Sequence, residues 1–139
     1  MASTLNPYLT FQGTAREAME FYRDVFGGEL TLTTFADFGL ADIPNPEYIM
    51  HAQLDTTAGY TLMASDPAPG VTMTPGSAIT ISVSGDDAEQ LRGYWDSLAA
   101  GGTVTMALER QMWGDEFGMV TDRFGIDWMV NIAAPSADA

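Results

Sequence analysis

Hydrophobic residues recur at helical spacing in two stretches of this chain and alternate with polar ones in the segments between. In the first stretch Met19, Phe21, Tyr22, Val25 and Phe26 follow Thr14-Ala-Arg-Glu17. A hydroxyl with Glu three residues on reads as a capping box, and Gly27-Gly28 ends the helix. In the second, Leu91, Tyr94, Trp95 and Leu98 follow the acidic cap Asp86-Asp-Ala-Glu89 and stop before Gly101-Gly102. Gly13, Glu17, Tyr22 and Asp24 find Gly85, Glu89, Tyr94 and Asp96 at a constant separation of 72 positions. One such match is chance; the ordered set predicts a duplication.

Strand-like segments surround each helix. Leu5–Phe11 precedes the first, and Glu29–Phe38, Tyr48–Asp55 and Tyr60–Ala64 follow it. Ala78–Ser84 precedes the second, with Thr103–Leu108, Phe117–Thr121 and Asp127–Ile132 after it. Each half therefore reads βαβββ, an α+β organisation in one domain over residues 1–139. The first module covers about 4–66, the linker 67–76 is rich in Pro and Gly, the second module covers 77–132, and a frayed tail runs over 133–139. Alternation separates the sheet faces. Leu9 and Phe11 oppose Asn6, Tyr8 and Thr10; Met50, Ala52 and Leu54 oppose Ile49, His51 and Gln53. Ile79, Ile81 and Val83 oppose Ala78, Thr80 and Ser82, and Trp128, Val130 and Ile132 oppose Asp127, Met129 and Asn131. The apolar faces are expected to carry the helices. The mixed faces are expected to line a concavity where the two sheet units meet, which makes a ligand pocket the natural expectation.

Composition narrows the chemistry. A chain of 139 residues with 46% hydrophobic types can bury a core, and no apolar run approaches a membrane span. Without cysteine there are no disulfides, thiolate metal sites or cysteine nucleophiles. The N-terminus lacks a basic start and long apolar stretch, so a cytoplasmic protein is expected. Nineteen Asp and Glu against five Arg give a formal charge of -14. Scattered arginines do not make a phosphate-binding patch, which argues against nucleic acid and anionic membranes. Such a field favours cationic or neutral ligands, although acidity also simply confers solubility.

The residues also carry a resemblance. Asn6-Pro-Tyr-Leu-Thr-Phe, Gly13, Ala18, Phe21-Tyr22, Phe26-Gly-Gly-Glu29, Leu62-Met-Ala-Ser-Asp66, and Trp113-Gly with Thr121-Asp-Arg-Phe-Gly125-Ile-Asp-Trp128 form one such set. Together they resemble the PhnB-like branch of the vicinal oxygen chelate superfamily, which includes glyoxalases, extradiol dioxygenases and bleomycin resistance proteins. The resemblance implies paired βαβββ modules in a cupped sheet, commonly as a homodimer. It also implies a divalent metal held by His or Glu from four strands. Here those positions fall at Asn6 or Pro7, Leu62 or Met63, Ala78, and Met129. Hard divalent ions need oxygen or imidazole ligands. No metal site of the superfamily type is expected, and no cofactor.

Candidate ligand-contacting residues on the mixed faces are Asn6, Tyr8, Thr10, His51, Gln53, Met63, Thr80, Ser82, Met129 and Asn131, with Trp113 in a loop. His51, the single histidine, reads as a strand residue satisfied by Tyr8 or backbone, as a ligand donor, or as a general base. Trp113 reads as pocket wall or dimer contact, with Phe35, Phe38 and Phe117 as further wall candidates, while Trp95 and Trp128 are expected in the core. Asp66 and Asp122 read as turn-forming Asx residues that cap the backbone following them. The expected function is binding of a small organic molecule, with sequestration as in bleomycin resistance proteins. A metal-dependent glyoxalase or dioxygenase and a non-catalytic structural or regulatory dimer are the alternatives.

Overall fold

The computed structural model describes residues 4–76 and 78–134, so the expected tail beyond 134 and Ser77 lie outside the described residues. The chain divides into two compact units, Met1–Pro75 and Gly76–Ala139. Unit one holds β1 (Tyr8–Thr10), α1 (Ala15–Phe26), β2 (Glu29–Thr34), β3 (Ile49–Asp55) and β4 (Thr61–Ser65), with a short 3-10 turn at Ala36–Phe38. Unit two holds β5 (Ile81–Gly85), α2 (Ala88–Ala99), β6 (Thr103–Arg110), β7 (Glu116–Thr121) and β8 (Asp127–Ile132). Each unit is one mixed four-stranded sheet, ordered β1-β4-β3-β2 and β5-β8-β7-β6, with a parallel pair at one edge. This is the α+β arrangement of two βαβββ modules that the repeat predicts.

Burial follows the alternation. Ala52, Leu54, Leu62 and Ala64 on the first sheet are buried together with Ala15, Ala18, Met19, Tyr22 and Phe26 of α1. In unit two Val83, Val120, Trp128, Val130 and Ile132 are buried with Leu91, Tyr94, Trp95 and Leu98 of α2. Each large apolar side chain so buried contributes about 1.5–3 kcal/mol before entropy is subtracted. Gly118 shows how tightly α2 sits: a Cβ there would lie 2.7 Å from Trp95 and 2.8 Å from the Leu108 Cα.

Several expected details give way to tertiary context. Strand β1 is only three residues long, and Leu5, which lies before it, is fully exposed. β2 ends at Thr34, where Asp37 accepts from the Thr34 N–H at 2.9 Å and starts the 3-10 turn. β5 begins at Ile81, leaving Ala78, Ile79 and Thr80 outside it, and Ile79 is 82% exposed rather than on an apolar face. A register shift between Thr33 and Thr34 breaks the alternation of β3, so that Ile49, Ala52 and Leu54 are buried while Met50 is half-buried. β6 extends to Arg110 with two register shifts and is exposed along most of its length.

Helix starts differ from expectation as well. Thr14 is the N-cap of α1 but its side chain makes no capping bond. Instead the buried Asp66 carboxylate accepts from the N–H of Gly13 at 2.8 Å and of Ala15 at 3.1 Å. α2 is capped locally by Asp87, not Asp86, through the Gln90 N–H at 3.1 Å.

Candidate functional site

Each sheet has one face toward its helix and one away from it, and cross-strand pairing fixes which residues share the second. On the first sheet Tyr8, Met63, Gln53 and Thr31 form one row across β1, β4, β3 and β2. The neighbouring row pairs Thr10 with Ser65 and His51 with Thr33. The Tyr8 phenol reaches past β4 to His51, whose Nδ1 lies 3.0 Å from its oxygen, with the rings 5.8 Å apart. Of the three readings of His51, the bond to Tyr8 is therefore present. It ties up Nδ1 and leaves the Nε2 position for another partner. The Gln53 amide donates to the Asp55 carboxylate at 3.1 Å, which holds it along the strand.

The corresponding face of the second sheet is mixed and sulfur-rich. Ser82, Met129, Met119 and Met106 form a row across β5, β8, β7 and β6. The next row holds Ser84, Asn131, Phe117 and Glu109. Trp113, on the hairpin joining β6 to β7, is 60% exposed and meets Phe117 edge-on at 6.2 Å. The hairpin closes through Gln111 N–H to Asp115 carbonyl at 2.8 Å and Gly114 N–H to Gln111 carbonyl at 2.9 Å. Asn131 donates to the Asp115 carboxylate at 3.1 Å and Ala134 N–H donates to it at 2.8 Å. These two donors, Asn131 foremost, hold the Asp115 carboxyl below its ordinary value of 3.8.

Of the expected site residues, Tyr8, Thr10, His51, Gln53 and Met63 share one face in unit one. Ser82, Met129 and Asn131 share one in unit two, with Trp113 beside it on Phe117. Asn6 precedes β1, where its amide donates to the Thr4 hydroxyl at 3.5 Å, and Thr80 precedes β5. Met106 and Met119 were not anticipated. Their signal was available, because Met119 alternates with the buried Gly118 and Val120, but the partner strand was needed to align it with Met129. Phe35 is buried and lines an open cleft of about 110 Å³ with Tyr48, Pro44 and Pro67, away from the expected residues, while Phe38 is exposed. Trp95 and Trp128 are in the core as expected.

The two aspartates correct the turn reading in one case only. Asp122 does cap its own turn, accepting from Phe124 N–H at 2.8 Å and Ile126 N–H at 3.1 Å, and also from Trp128 Nε1 at 2.8 Å. Asp66 caps nothing that follows it. Besides Gly13 and Ala15 it accepts from Ile49 N–H at 2.9 Å, so it joins the entry of α1 to β3.

Among the described residues no group of three or more His, Cys, Asp or Glu is placed to hold a metal. No helix among them is long and apolar enough to cross a membrane.

Comparison with known proteins agrees with this architecture. Residues 3–131 match the family model described as 3-demethylubiquinone-9 3-methyltransferase. Protein YjdN of Escherichia coli is 31% identical over 92% of this chain and 94% of its own length. Among solved structures, protein PA1353 from Pseudomonas aeruginosa is 36% identical with a TM-score of 0.85, covering 96% of this chain and 99% of that one. A Bacillus cereus PhnB protein, titled a putative 3-demethylubiquinone-9 3-methyltransferase, is 25% identical with a TM-score of 0.74 over 94% of this chain and 100% of its own. These matches place the chain in the family described as 3-demethylubiquinone-9 3-methyltransferase, to which the PhnB protein is also likened, and its duplicated βαβββ fold is shared with a glyoxylase/bleomycin resistance protein/dioxygenase domain from Frankia sp. at 16% identity and a TM-score of 0.65.

Proposed function

We propose that this protein binds a small organic molecule on the helix-free faces of its sheets, as a homodimer, without a superfamily-type divalent metal, and protects by sequestration. The observation that carries the reading is the surface around Trp113. A largely exposed indole rests on Phe117, with Met119 and Met129 one row away on the same face. Flat aromatic faces with polarizable, adaptable thioethers suit an apolar or aromatic ligand of loosely defined shape. The helix-free face of unit one offers polar contacts of its own, the hydroxyl, imidazole and amide groups of Tyr8, His51 and Gln53. Excess negative charge favours a cationic ligand.

An enzymatic reading draws on one feature, the Tyr8–His51 hydrogen bond, which orients an imidazole for proton transfer. A thermal-shift panel of cationic and neutral aromatic compounds, run with and without divalent ions, separates the readings. Binding predicts a raised melting temperature without added metal, and roughly tenfold weaker affinity in Trp113→Ala, the size of a typical anchoring aromatic. A divalent ion needed in stoichiometric amount, or no shift with any compound, would overturn the proposal. Light scattering at twice the chain mass tests the dimer.

A further inference from the structure

The row of methionines on the second sheet has chemistry that a hydrophobic surface does not require. Met106 on β6, Met119 on β7 and Met129 on β8 are directly opposite one another, Met106 to Met119 and Met119 to Met129. Cross-strand partners share a face, and neighbouring strands lie about 4.8 Å apart. The shared face is the one away from α2, because Gly118 and Val120, the neighbours of Met119 in β7, are buried and Gly118 lies against Trp95. Met119 and Met129 are half-buried and Met106 is 44% exposed, so the row opens at one edge. Each thioether stands on three rotatable bonds and can lean toward the central strand.

We propose that these three thioethers form a binding site for a soft monovalent cation, Cu(I) above all. Thioether sulfur prefers Cu(I) over the hard divalent ions, which take oxygen and nitrogen. Three neutral sulfurs leave the ion's charge uncompensated at the site, and the surrounding charge of -14 favours its approach. The chain has no cysteine to compete for the ion, and its only histidine, His51, already has its Nδ1 on the Tyr8 phenol. Phe117, two residues before Met119 on the same strand, adds a ring to the same face. The site shares Met119 and Met129 with the proposed ligand surface, but copper retention and organic-ligand binding are separate measurements, so either can fail alone.

The test is anaerobic titration of the full-length protein with Cu(I), held reduced by ascorbate, against the chromophoric chelator bicinchoninate. One equivalent should be retained, and retained equally at pH 7 and pH 5, because a thioether has no proton to lose on binding whereas imidazole does. Met119→Leu, which removes the central ligand with little change in volume, should weaken retention roughly tenfold or more. Met129→Leu should also weaken it, while Met63→Leu and His51→Ala should leave it unchanged. Melting temperatures of the variants guard against misfolding, and X-ray absorption should show sulfur alone around the copper. No retention, loss at pH 5, indifference to both Met119→Leu and Met129→Leu, loss in His51→Ala, or nitrogen and oxygen neighbours would each overturn the proposal.

Discussion

The turn between β3 and β4 begins at Thr56, and the turn between β7 and β8 begins at Asp122, 66 positions later. Both have the same bonds. In each, the first residue's N–H donates to the carbonyl four residues on, Tyr60 at 2.8 Å or Ile126 at 2.9 Å. A glycine, Gly59 or Gly125, donates back to the first carbonyl, and its positive φ (94° and 89°) is a conformation glycine takes without strain. The first side chain then accepts from the fifth N–H, through the Thr56 hydroxyl at 2.8 Å or the Asp122 carboxylate at 3.1 Å. Backbone geometry has been kept while the polar chemistry moved. At the same separation, Leu62 answers to Trp128 and Asp66 to Ile132. Among the described residues each unit thus buries one carboxylate, on opposite sides of its last strand: Asp66 directly after β4, Asp122 at the start of the turn that leads into β8.

That exchange teaches where a buried charge is tolerated. Asp122 bonds mainly within its own turn and adds the Trp128 indole, which needs an acceptor once buried. Asp66 bonds across long sequence separations, to Gly13, Ala15 and Ile49. Removing Asp66 strands three backbone donors, two of them in buried bonds, and each such donor costs about 1–3 kcal/mol. Asp66→Ala should therefore destabilise the protein by about 3–5 kcal/mol in urea unfolding. Asp122→Ala should cost less, about 2–3 kcal/mol, since Phe124 and Ile126 N–H are only partly buried and water can replace the acceptor. Equal losses would mean that the span of the bonds has no bearing on their worth.

The helix starts give a smaller version of the same contrast. α2 takes its cap from Asp87, inside its own sequence, whereas α1 relies on Asp66 from the far end of β4. Asp87→Ala should cost about 1 kcal/mol, the usual worth of an N-cap. Thr14→Ala should fall within about 0.5 kcal/mol, because the Thr14 side chain makes no capping bond. Comparable losses in chemical denaturation would show that Thr14 contributes a cap after all.

The same division explains what could be read from sequence. Helix positions, the succession of elements along each βαβββ unit and most buried faces follow from periodicity, which is a local property. Asp122 was legible as a turn residue because its partners lie a few positions away, and the cap of α2 falls at Asp87, one position after the expected Asp86. Asp66 was misread because its partners lie 17 to 53 positions away, and a Ser-Asp-Pro stretch at a strand end carries an equally good local explanation. On the first sheet the Tyr8–His51 pair was open to anticipation once alternation placed both on one face. The methionine row was not, since alignment of Met106 with Met119 depends on two register shifts in β6. Ile49 changed sides for a related reason, the irregularity opposite Thr34.

The least of these effects separates the two sheets by charge. Asp37 in unit one and Asp115 in unit two both have carboxyls held below 3.8, the first by the Thr34 N–H and hydroxyl, the second by the Asn131 amide and then the Ala134 N–H. Asp37 fastens a surface turn, but Asp115 fastens the base of the Trp113 hairpin to β8. A lowered folded-state value means the ionised carboxylate favours the folded form. Its contribution is complete above the unfolded carboxylate range and fades as pH falls below 3.8 through the lower folded value. Carbon-detected NMR titration should place the Asp115 midpoint below 3.8, and Asn131→Ala should move it upward because the larger of the two causes has gone. In the same acid range the Trp113 indole resonance should shift together with Asp115 and not with Asp37. An indole that ignores Asp115, or an unchanged midpoint in Asn131→Ala, would uncouple the hairpin from β8 and leave Trp113 without the anchor that makes it a fixed wall for a ligand.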